Sequence, residues 1–324
     1  MLADSYGRIM TKLRLSVTDE CNYRCIFCMP TNPKFFGKDQ LLTVSQIERL
    51  IKLFSSMGIK EVKLTGGEPL VRSDITEIVK AIHNHIETIS MTTNGYYLNR
   101  KLPELKMAGL SRINVSIHSL NEKNYWKITG GGNLKAVLNG LELAKELKME
   151  TIKINMTVMR GVNDHEVLDF VNFSLKTGIT VRFLEYEPFN GREAWDQSKF
   201  VSAREILERI SKVYKLTPLP REPHSTSTYY IVDGMGKIGV VSSVSAPFCQ
   251  DCNRLRVTAN GKLVPCMYSK FEVDLRKPLE SGLDDDRIRE IIEGAVKGKF
   301  RGIIEYIERN NIPNYIRPMF KLGG

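Results

Sequence analysis

The chain has 324 residues, of which 42% are hydrophobic and 26% are charged. This composition is ordinary for a globular protein and excludes a disordered or collagen-like chain. Lys and Arg number 47 against 37 for Asp and Glu, and the resulting net charge of +10 favours an anionic partner, such as a nucleic acid, an acidic membrane surface or a phosphorylated small molecule.

Strands and helices alternate over the first two thirds of the chain. Apolar and β-branched residues predict six strands, at residues 13–18, 61–65, 88–93, 112–117, 151–158 and 180–185. Apolar residues at helical spacing predict helices near 47–54, 75–82 and 134–144, and another that begins at 163–164. This alternation predicts a parallel α/β sheet, and because a closed barrel has eight strands, six favour an open or partial barrel.

The alternation ends after residue 188. A proline-rich stretch at 218–223 has the composition of a linker or an extended crossing segment, and two hairpins are predicted, at 229–241 and around Asn260-Gly261. Helical segments at 288–296 and 302–307 come last. We place a domain boundary near residue 220, which gives one domain at 1–219 and a second at 220–324.

The six cysteines form two groups of three at opposite ends of the chain: Cys21, Cys25 and Cys28, then Cys249, Cys252 and Cys266. Six cysteines in a long chain are too sparse for a disulfide framework. The sequence shows neither a signal peptide nor a run of about 18 apolar residues. We therefore expect a cytoplasmic protein that does not span a membrane and whose cysteines bind metal.

The first group has the spacing C-x3-C-x2-C. Structural zinc takes four ligands, and no histidine lies near this motif. Three thiolates on a four-iron cluster would instead leave one iron free to bind and activate a ligand. This motif after the first strand, with Phe27 before the last cysteine, resembles that of radical S-adenosylmethionine (SAM) enzymes. The loop Gly66-Gly67-Glu68-Pro69 after the second strand is similar to the loop that contacts the methionine amine in that superfamily.

The second group has the spacing C-x2-C-x13-C and lies beside the stretch NRLR. By its residues alone it could be a zinc site completed by a distant ligand such as His224. With the radical SAM motif it resembles the GTP 3′,8-cyclase family, which catalyses the first step of molybdenum-cofactor biosynthesis. The resemblance covers nearly the whole chain, through the segments LRLSVTDECNYRCIFCMP, KLTGGEPLVR, TTNGYYL, INVSIHSL, KINMTVMRGVND, RFLEY and CQDCNRLRVTANGKLVPC.

The resemblance implies a fold, cofactors and a reaction. The fold is a partial (β/α)6 TIM-like barrel with a C-terminal extension that carries a second cluster. The cofactors are two [4Fe–4S] clusters and SAM. The first cluster generates a 5′-deoxyadenosyl radical that takes hydrogen from the ribose C3′ of GTP, and C3′ then attacks C8 of a guanine held by the second cluster. The product is (8S)-3′,8-cyclo-7,8-dihydroguanosine 5′-triphosphate.

The resemblance also assigns residues, one motif at a time. Contacts with SAM fall on Phe27, Gly67, Glu68, Ser116 and Glu187. Contacts with GTP fall on Arg14, Lys63, Thr92, Lys153, Arg182, Arg254, Leu255 and Arg256. The clusters fall on the two cysteine groups, and a terminal Gly323-Gly324 reaches the active site as a catalytic element.

The chain departs from the family pattern at two places. Glu187 stands where many members have methionine, and a carboxylate does not make the same contact with SAM. Glu61 and Lys63 stand where many members have Lys-x-Arg, which removes one phosphate contact and weakens another.

The partners implied are GTP, a reductase or a ferredoxin- or flavodoxin-type electron donor, and a downstream cyclic pyranopterin monophosphate synthase. Neither nucleic acid nor a membrane is expected, and a homodimer is left open. One alternative is a radical enzyme with an auxiliary cluster that modifies a peptide. A second is a zinc-bearing RNA-binding protein, favoured by the net charge of +10 and the cysteine groups.

Overall fold

The computed structural model describes residues 1–309 and 318–323. Its strands are β1 Lys12–Ser16, β2 Glu61–Thr65, β3 Thr88–Thr93, β4 Arg112–Ser116, β5 Thr151–Val158, β6 Thr180–Glu185, β7 Leu216–Pro218, β8 Thr228–Val232, β9 Gly236–Val241, β10 Arg254–Val257, β11 Lys262–Val264 and β12 Val273–Asp274. Its helices are α1 Val44–Ser56, α2 Ile75–His83, α3 Leu98–Met107, α4 Glu122–Thr129, α5 Leu134–Glu146, α6 Val167–Thr177, α7 Ala203–Ser211, α8 Arg276–Glu280, α9 Asp285–Lys297, α10 Ile304–Glu308 and α11 Met319–Leu322.

The six predicted strands are confirmed as a parallel run, β1 to β6, in chain order. Helices of the βα units cover the outer face of this run. Helix α1 shows why the sequence folds this way: its apolar face packs in the core, and Thr43 and Gln46 form a capping box at its start. The arrangement is the predicted partial barrel.

The inner face of the barrel is polar. In β2, Val62 and Leu64 lie in the hydrophobic core, whereas Lys63 and Thr65 alternate with them and line a cavity inside the barrel. The outward face of the sheet therefore supplies the core, and the inward face is left for a charged ligand.

The last third of the chain extends both edges of the same sheet. Strand β9 pairs in parallel with β6, and β10 pairs in parallel with β1. Each then continues into antiparallel strands, so the described strands follow the order β12-β11-β10-β1-β2-β3-β4-β5-β6-β9-β8-β7. Both predicted hairpins are present: β8 and β9 meet at Asp233-Gly234, and β10 and β11 meet near Gly261. Strands from 1–219 and from 220–324 lie in one sheet, so the sheet does not mark a division near residue 220. The domain boundary there stays a prediction.

Candidate active site

A cavity of about 290 Å³ lies at the C-terminal ends of the barrel strands, and both cysteine groups line it. We call it the upper cavity. All six cysteines carry free thiols. Two groups more than 200 residues apart in the chain therefore face one space, because β10 returns to pair with β1.

The first cysteine group lies on the loop that follows β1. The backbone N–H of Cys28 donates to the carbonyl of Cys25 at 3.1 Å, and the N–H of Tyr23 donates to the sulfur of Cys21 at 3.3 Å. The C-terminal end of α4 holds the same loop, since Arg24 and Ile26 donate their N–H groups to carbonyls of that helix end. These hydrogen bonds thus fix the conformation of the loop that carries the three thiols.

Burial raises the pKa of the first three thiols, to about 12 for Cys21 and Cys28 and well above its ordinary value for Cys25. Charge on neighbouring sulfurs raises the pKa of Cys25 further. Cysteine binds metal as the thiolate, so the positive charge of bound iron would offset both effects.

In the second group, Cys252 differs from its neighbours. Burial alone would raise its pKa, but the charges of Arg254 and Lys299 outweigh burial and hold the pKa at about 6. Lys299 is 4% exposed, and its ammonium donates to the carbonyl of Arg254 at 2.7 Å. Arg254 and Lys299 thus favour the thiolate form of Cys252, which is the form that binds metal.

The cysteine groups fit an iron–sulfur cluster better than a single metal ion. In residues 1–309 and 318–323, no three His, Cys, Asp or Glu side chains converge on the position of one ion. A four-iron cluster is larger than an ion and takes thiolates that lie farther apart. No such convergent set includes His224, so this residue does not complete the second group as a zinc site among the described residues.

The loop after β2 packs against the first cysteine loop. A Cβ on Gly67 would lie 2.3 Å from the carbonyl oxygen of Glu20, so only glycine permits this approach. Glu68 is 1% exposed and accepts hydrogen bonds from Leu70 N–H, Thr93 Oγ1 and Asn94 N–H. Burial raises the pKa of Glu68 to about 7. The carboxylate therefore ties the β2 and β3 loops together.

A second cavity continues through the barrel toward the N-terminal ends of the strands. We call it the lower cavity. Its wall is strongly basic, with the side chains of Lys12, Arg14, Lys63, Arg112, Lys153, Arg182 and Arg254. Among the lining residues, the upper cavity shares Arg14, Lys63, Arg182, Thr226 and Arg254. The two spaces therefore meet at a ring of cations.

The cations of this ring differ in how many hydrogen bonds their side chains make. Arg182 donates to Asn114 Oδ1 at 2.8 Å and to Asn155 Oδ1 at 2.6 and 2.9 Å. Among the described residues, neither Arg14 nor Lys63 has a side-chain hydrogen-bonding partner, and the two are paired in register on β1 and β2. Burial, then the charges of neighbouring cations, lowers the pKa of both groups. An anion in the barrel would relieve this repulsion.

The C-terminal segment reaches the same place. Arg256 is 6% exposed, and its guanidinium donates to the carbonyl of Gly323 at 2.8 Å. A Cβ on Gly323 would collide with the hydroxyl of Thr65, which lines the upper cavity. Gly324 lies outside the described residues.

The structure brings most of the predicted site residues together. The upper cavity is lined by Cys21, Cys25, Cys28, Cys249, Cys252, Cys266, Phe27, Gly67, Ser116, Glu187, Arg14, Lys63, Thr92, Arg182, Arg254 and Arg256. Lys153 lines the lower cavity only. Glu68 lies behind the wall, and the side chain of Leu255 is fully buried in the core. The contacts assigned to these residues stay predictions.

The departure at residue 61 has a local consequence. Glu61 forms an ion pair with Lys12 at 2.8 Å on the neighbouring strand. Burial opposes ionisation, but the hydrogen bond and charge of Lys12 outweigh it and lower the pKa of Glu61. Lys12 is therefore neutralised within the protein, as is Arg112, another cation of the lower cavity, which pairs with Glu150.

Comparison with known proteins gives the family. Residues 15–174 match the Radical SAM superfamily, and residues 179–303 match the Molybdenum Cofactor Synthesis C family. The chain is 41% identical over 329 residues to GTP 3′,8-cyclase of Aquifex aeolicus (strain VF5), with all of both chains covered. The chain belongs to the GTP 3′,8-cyclase family.

Other members of this family are similarly close. The chain is 38% identical to the mitochondrial GTP 3′,8-cyclase of Arabidopsis thaliana, with all of this chain and 84% of the relative covered. Among solved structures, Streptococcus suis SuiB bound to precursor peptide SuiA matches with a TM-score of 0.65 at 14% identity, over 97% of this chain and 76% of SuiB. That likeness shows the fold alone.

Family membership also gives the class of enzyme and its cofactors. The chain is a radical SAM enzyme whose cofactors are a [4Fe–4S] cluster and SAM. In the described part of the chain, no helix has the length and apolar content needed to cross a bilayer.

Three residues of the site escaped the sequence analysis. A Cβ on Gly191 would lie 2.3 Å from the carbonyl of Ile26, so this glycine packs on the first cysteine loop. Tyr229 lies in the lower cavity, where Lys153 donates to its hydroxyl at 3.1 Å. His118 lies in the upper cavity wall. Each sits in a segment without a cysteine or a glycine pair, so no local pattern distinguishes it.

Proposed function

We propose that this protein converts GTP to (8S)-3′,8-cyclo-7,8-dihydroguanosine 5′-triphosphate with SAM as co-substrate, as the first step of molybdenum-cofactor biosynthesis. The observation that carries the proposal is a single space with a three-thiol group on either side and a basic cavity beneath it. That combination suits a substrate with an aromatic base and a polyphosphate.

Cys21, Cys25 and Cys28 hold the first cluster, and the Gly66-Gly67 loop borders the SAM site. When bound and reduced, this cluster supplies the electron that cleaves SAM to methionine and a 5′-deoxyadenosyl radical. Such a radical would take hydrogen from C3′ of a bound GTP, C3′ would bond to C8, and one electron from the external donor with one proton would complete the dihydro ring.

Cys249, Cys252 and Cys266 would hold a second cluster, whose open iron would bind the guanine. The lower cavity takes the triphosphate, whose roughly four negative charges match the cations that line it. Holding the base and the phosphates at separate places fixes the ribose between them, which is the positioning that ring closure requires.

Arg256 links the phosphate region to the C-terminal segment. It lies in register with Arg14 on the neighbouring strand, and it already bonds to Gly323. We assign it a contact with GTP and the task of holding the Gly323-Gly324 tail in the site. The remaining contacts are those assigned from sequence: SAM at Phe27, Glu68, Ser116 and Glu187, and GTP at Lys63, Thr92, Lys153, Arg182, Arg254 and Leu255.

We also propose a role for each of the two segments of the chain and name the proteins that act with it. The barrel at 1–219 carries SAM cleavage, and the segment 220–324 carries the second cluster and the tail. A ferredoxin- or flavodoxin-type donor or a reductase supplies electrons, and a cyclic pyranopterin monophosphate synthase takes the product. The protein acts in the cytoplasm.

Substitution of one cysteine in each group tests the two roles. Cys25→Ala should abolish SAM cleavage. Cys252→Ala should weaken GTP binding and stop product formation while the first cluster still forms. The measurements are iron content, 5′-deoxyadenosine and cyclised GTP under anaerobic conditions. Full turnover by either variant would contradict the division of labour.

The peptide-modifying alternative makes a different prediction. It requires no triphosphate site, whereas the lower cavity is lined by seven cationic side chains. Titration of the reconstituted protein with GTP and with a short peptide separates the two: we expect saturable GTP binding that weakens with salt.

A further inference from the structure

His118 lies two residues beyond the end of β4, within the segment INVSIHSL. Its side chain is 5% exposed and lines the upper cavity. It has no part in the roles assigned above.

The hydrogen-bonding state of this imidazole is fixed by its neighbour on β5. The backbone N–H of Thr157 donates to Nδ1 of His118 at 3.1 Å. Nδ1 is therefore the unprotonated acceptor, and the ring proton is on Nε2. Burial lowers the pKa of His118 to about 3, so the ring stays neutral at physiological pH. The side chain presents one donor, the Nε2–H.

The direction of that donor is fixed as well. Asn163 is fully buried, and its Nδ2 donates to the carbonyl of His118 at 2.7 Å and to that of Thr157 at 2.9 Å. The ring of Phe27 packs edge to face on the imidazole, with centroids 4.6 Å apart. The imidazole of His118 is thus held in place between β5 and the first cysteine loop.

In the described part of the chain, Nε2 of His118 has no hydrogen-bonding partner, although the ring faces the upper cavity. Since this donor faces the cavity and its position is fixed by the neighbouring residues, it is preorganised to bind an acceptor atom of a ligand held there. The Gly66-Gly67 loop follows β2, and β4 lies two strands further along the sheet. Two strand spacings are about 10 Å, so a ligand whose methionine end lies at β2 extends its nucleoside end to β4.

We propose that Nε2–H of His118 donates a hydrogen bond to the nucleoside half of SAM and thereby positions it beside the first cluster. The acceptor is a ribose oxygen or a ring nitrogen of adenine. This inference rests on the proposed function, since it names a contact with SAM in that site. It assigns His118 a binding role that none of the cysteine or glycine motifs supplies.

Two matched variants test the contact. In His118→Asn, the amide oxygen occupies the place of Nδ1 and still accepts from Thr157, but nothing reaches the place of Nε2. In His118→Gln, the longer amide returns an N–H donor to that place. Both are reconstituted anaerobically, and their iron content and Tm are compared with those of the wild type.

We expect His118→Asn to weaken the binding of SAM and of 5′-deoxyadenosine by the same factor, roughly 3- to 10-fold, with GTP affinity unchanged. His118→Gln should recover most of the loss. The inference is overturned if His118→Asn binds SAM as tightly as the wild type, or if SAM and GTP affinity fall together with iron content. Wild-type binding and cleavage of SAM test the proposed function separately, because they do not depend on either variant.

Discussion

Lys63 lies where the two cavities meet and faces other cations without a hydrogen-bonding partner in the described chain. Sequence spacing placed it on a strand beside the glycine loop, but the spacing gave no sign of the neighbours that surround it. Arg14 is adjacent on β1, and Arg182 comes from a strand more than 100 residues later. Such repulsion is tolerated at functional sites and rarely elsewhere.

We therefore predict opposite effects of Lys63→Met on stability and binding. Removal of this buried charge should stabilise the GTP-free protein by about 1 kcal/mol, because the cost of burying the charge disappears and with it the repulsion from neighbouring cations. GTP affinity should fall roughly 10- to 100-fold at low salt and less at high salt. Tm and GTP titrations measure both effects, and Lys60→Met on the exposed surface is the control. A lower Tm with unchanged GTP affinity would contradict this role.

The raised pKa of Glu68 predicts that the stability of the folded protein depends on pH. Its native pKa is about 7 against an ordinary 4.5, so the folded protein retains a proton that the unfolded chain has released between these values. Stability from this group is therefore lost as the pH rises from 4.5 to 7, by up to about 3 kcal/mol. As the pH rises from 4.5 to 7, the Tm of Glu68→Gln should therefore rise relative to the Tm of the wild type. A difference independent of pH would show that Glu68 is ionised throughout.

The strands and hairpins were predictable because their signals are local. Alternating polarity defined β1 to β6, and turn residues such as Asp233-Gly234 marked the hairpins. The helices α3, α4 and α7 were not predicted individually, since their apolar residues are fewer. The pairing of β9 with β6 and of β10 with β1 was also missed, because it joins segments distant in the chain. The same limitation hid Gly191 and His118.

The contact between Gly191 and the first cysteine loop gives a prediction for that element. Gly191→Ala would place a Cβ against the backbone of Ile26 and Phe27, so the loop must shift. Iron content of the first cluster and SAM cleavage should fall by at least 10-fold. Gly294→Ala is the matched control, because nothing lies within 4 Å of its Cβ in helix α9. Equal iron content in both variants would contradict the contact.

At the scale of the whole molecule, the chain brings its two ends to one site. Cys21 and Cys252 line the same cavity, and Arg256 holds Gly323 beside Thr65. The cysteine spacing alone predicted two incomplete ligand sets, and their common cavity became visible only with the sheet order.

Loss of the tail should therefore separate binding from chemistry. Deletion of Gly323-Gly324 should abolish cyclisation, because Arg256 loses its partner in the site, while iron content and SAM binding stay within twofold of the wild type. Product analysis and iron assay measure this. Unchanged product formation by the truncated protein would show that the tail has no catalytic role.

The most direct test of the central claim is the anaerobic product of GTP and SAM, measured together with iron per chain. We predict about eight iron atoms per chain, four for each of two clusters, and 3′,8-cyclised dihydro-GTP formed with 5′-deoxyadenosine. Unchanged GTP in the presence of SAM cleavage and a full complement of iron would contradict it.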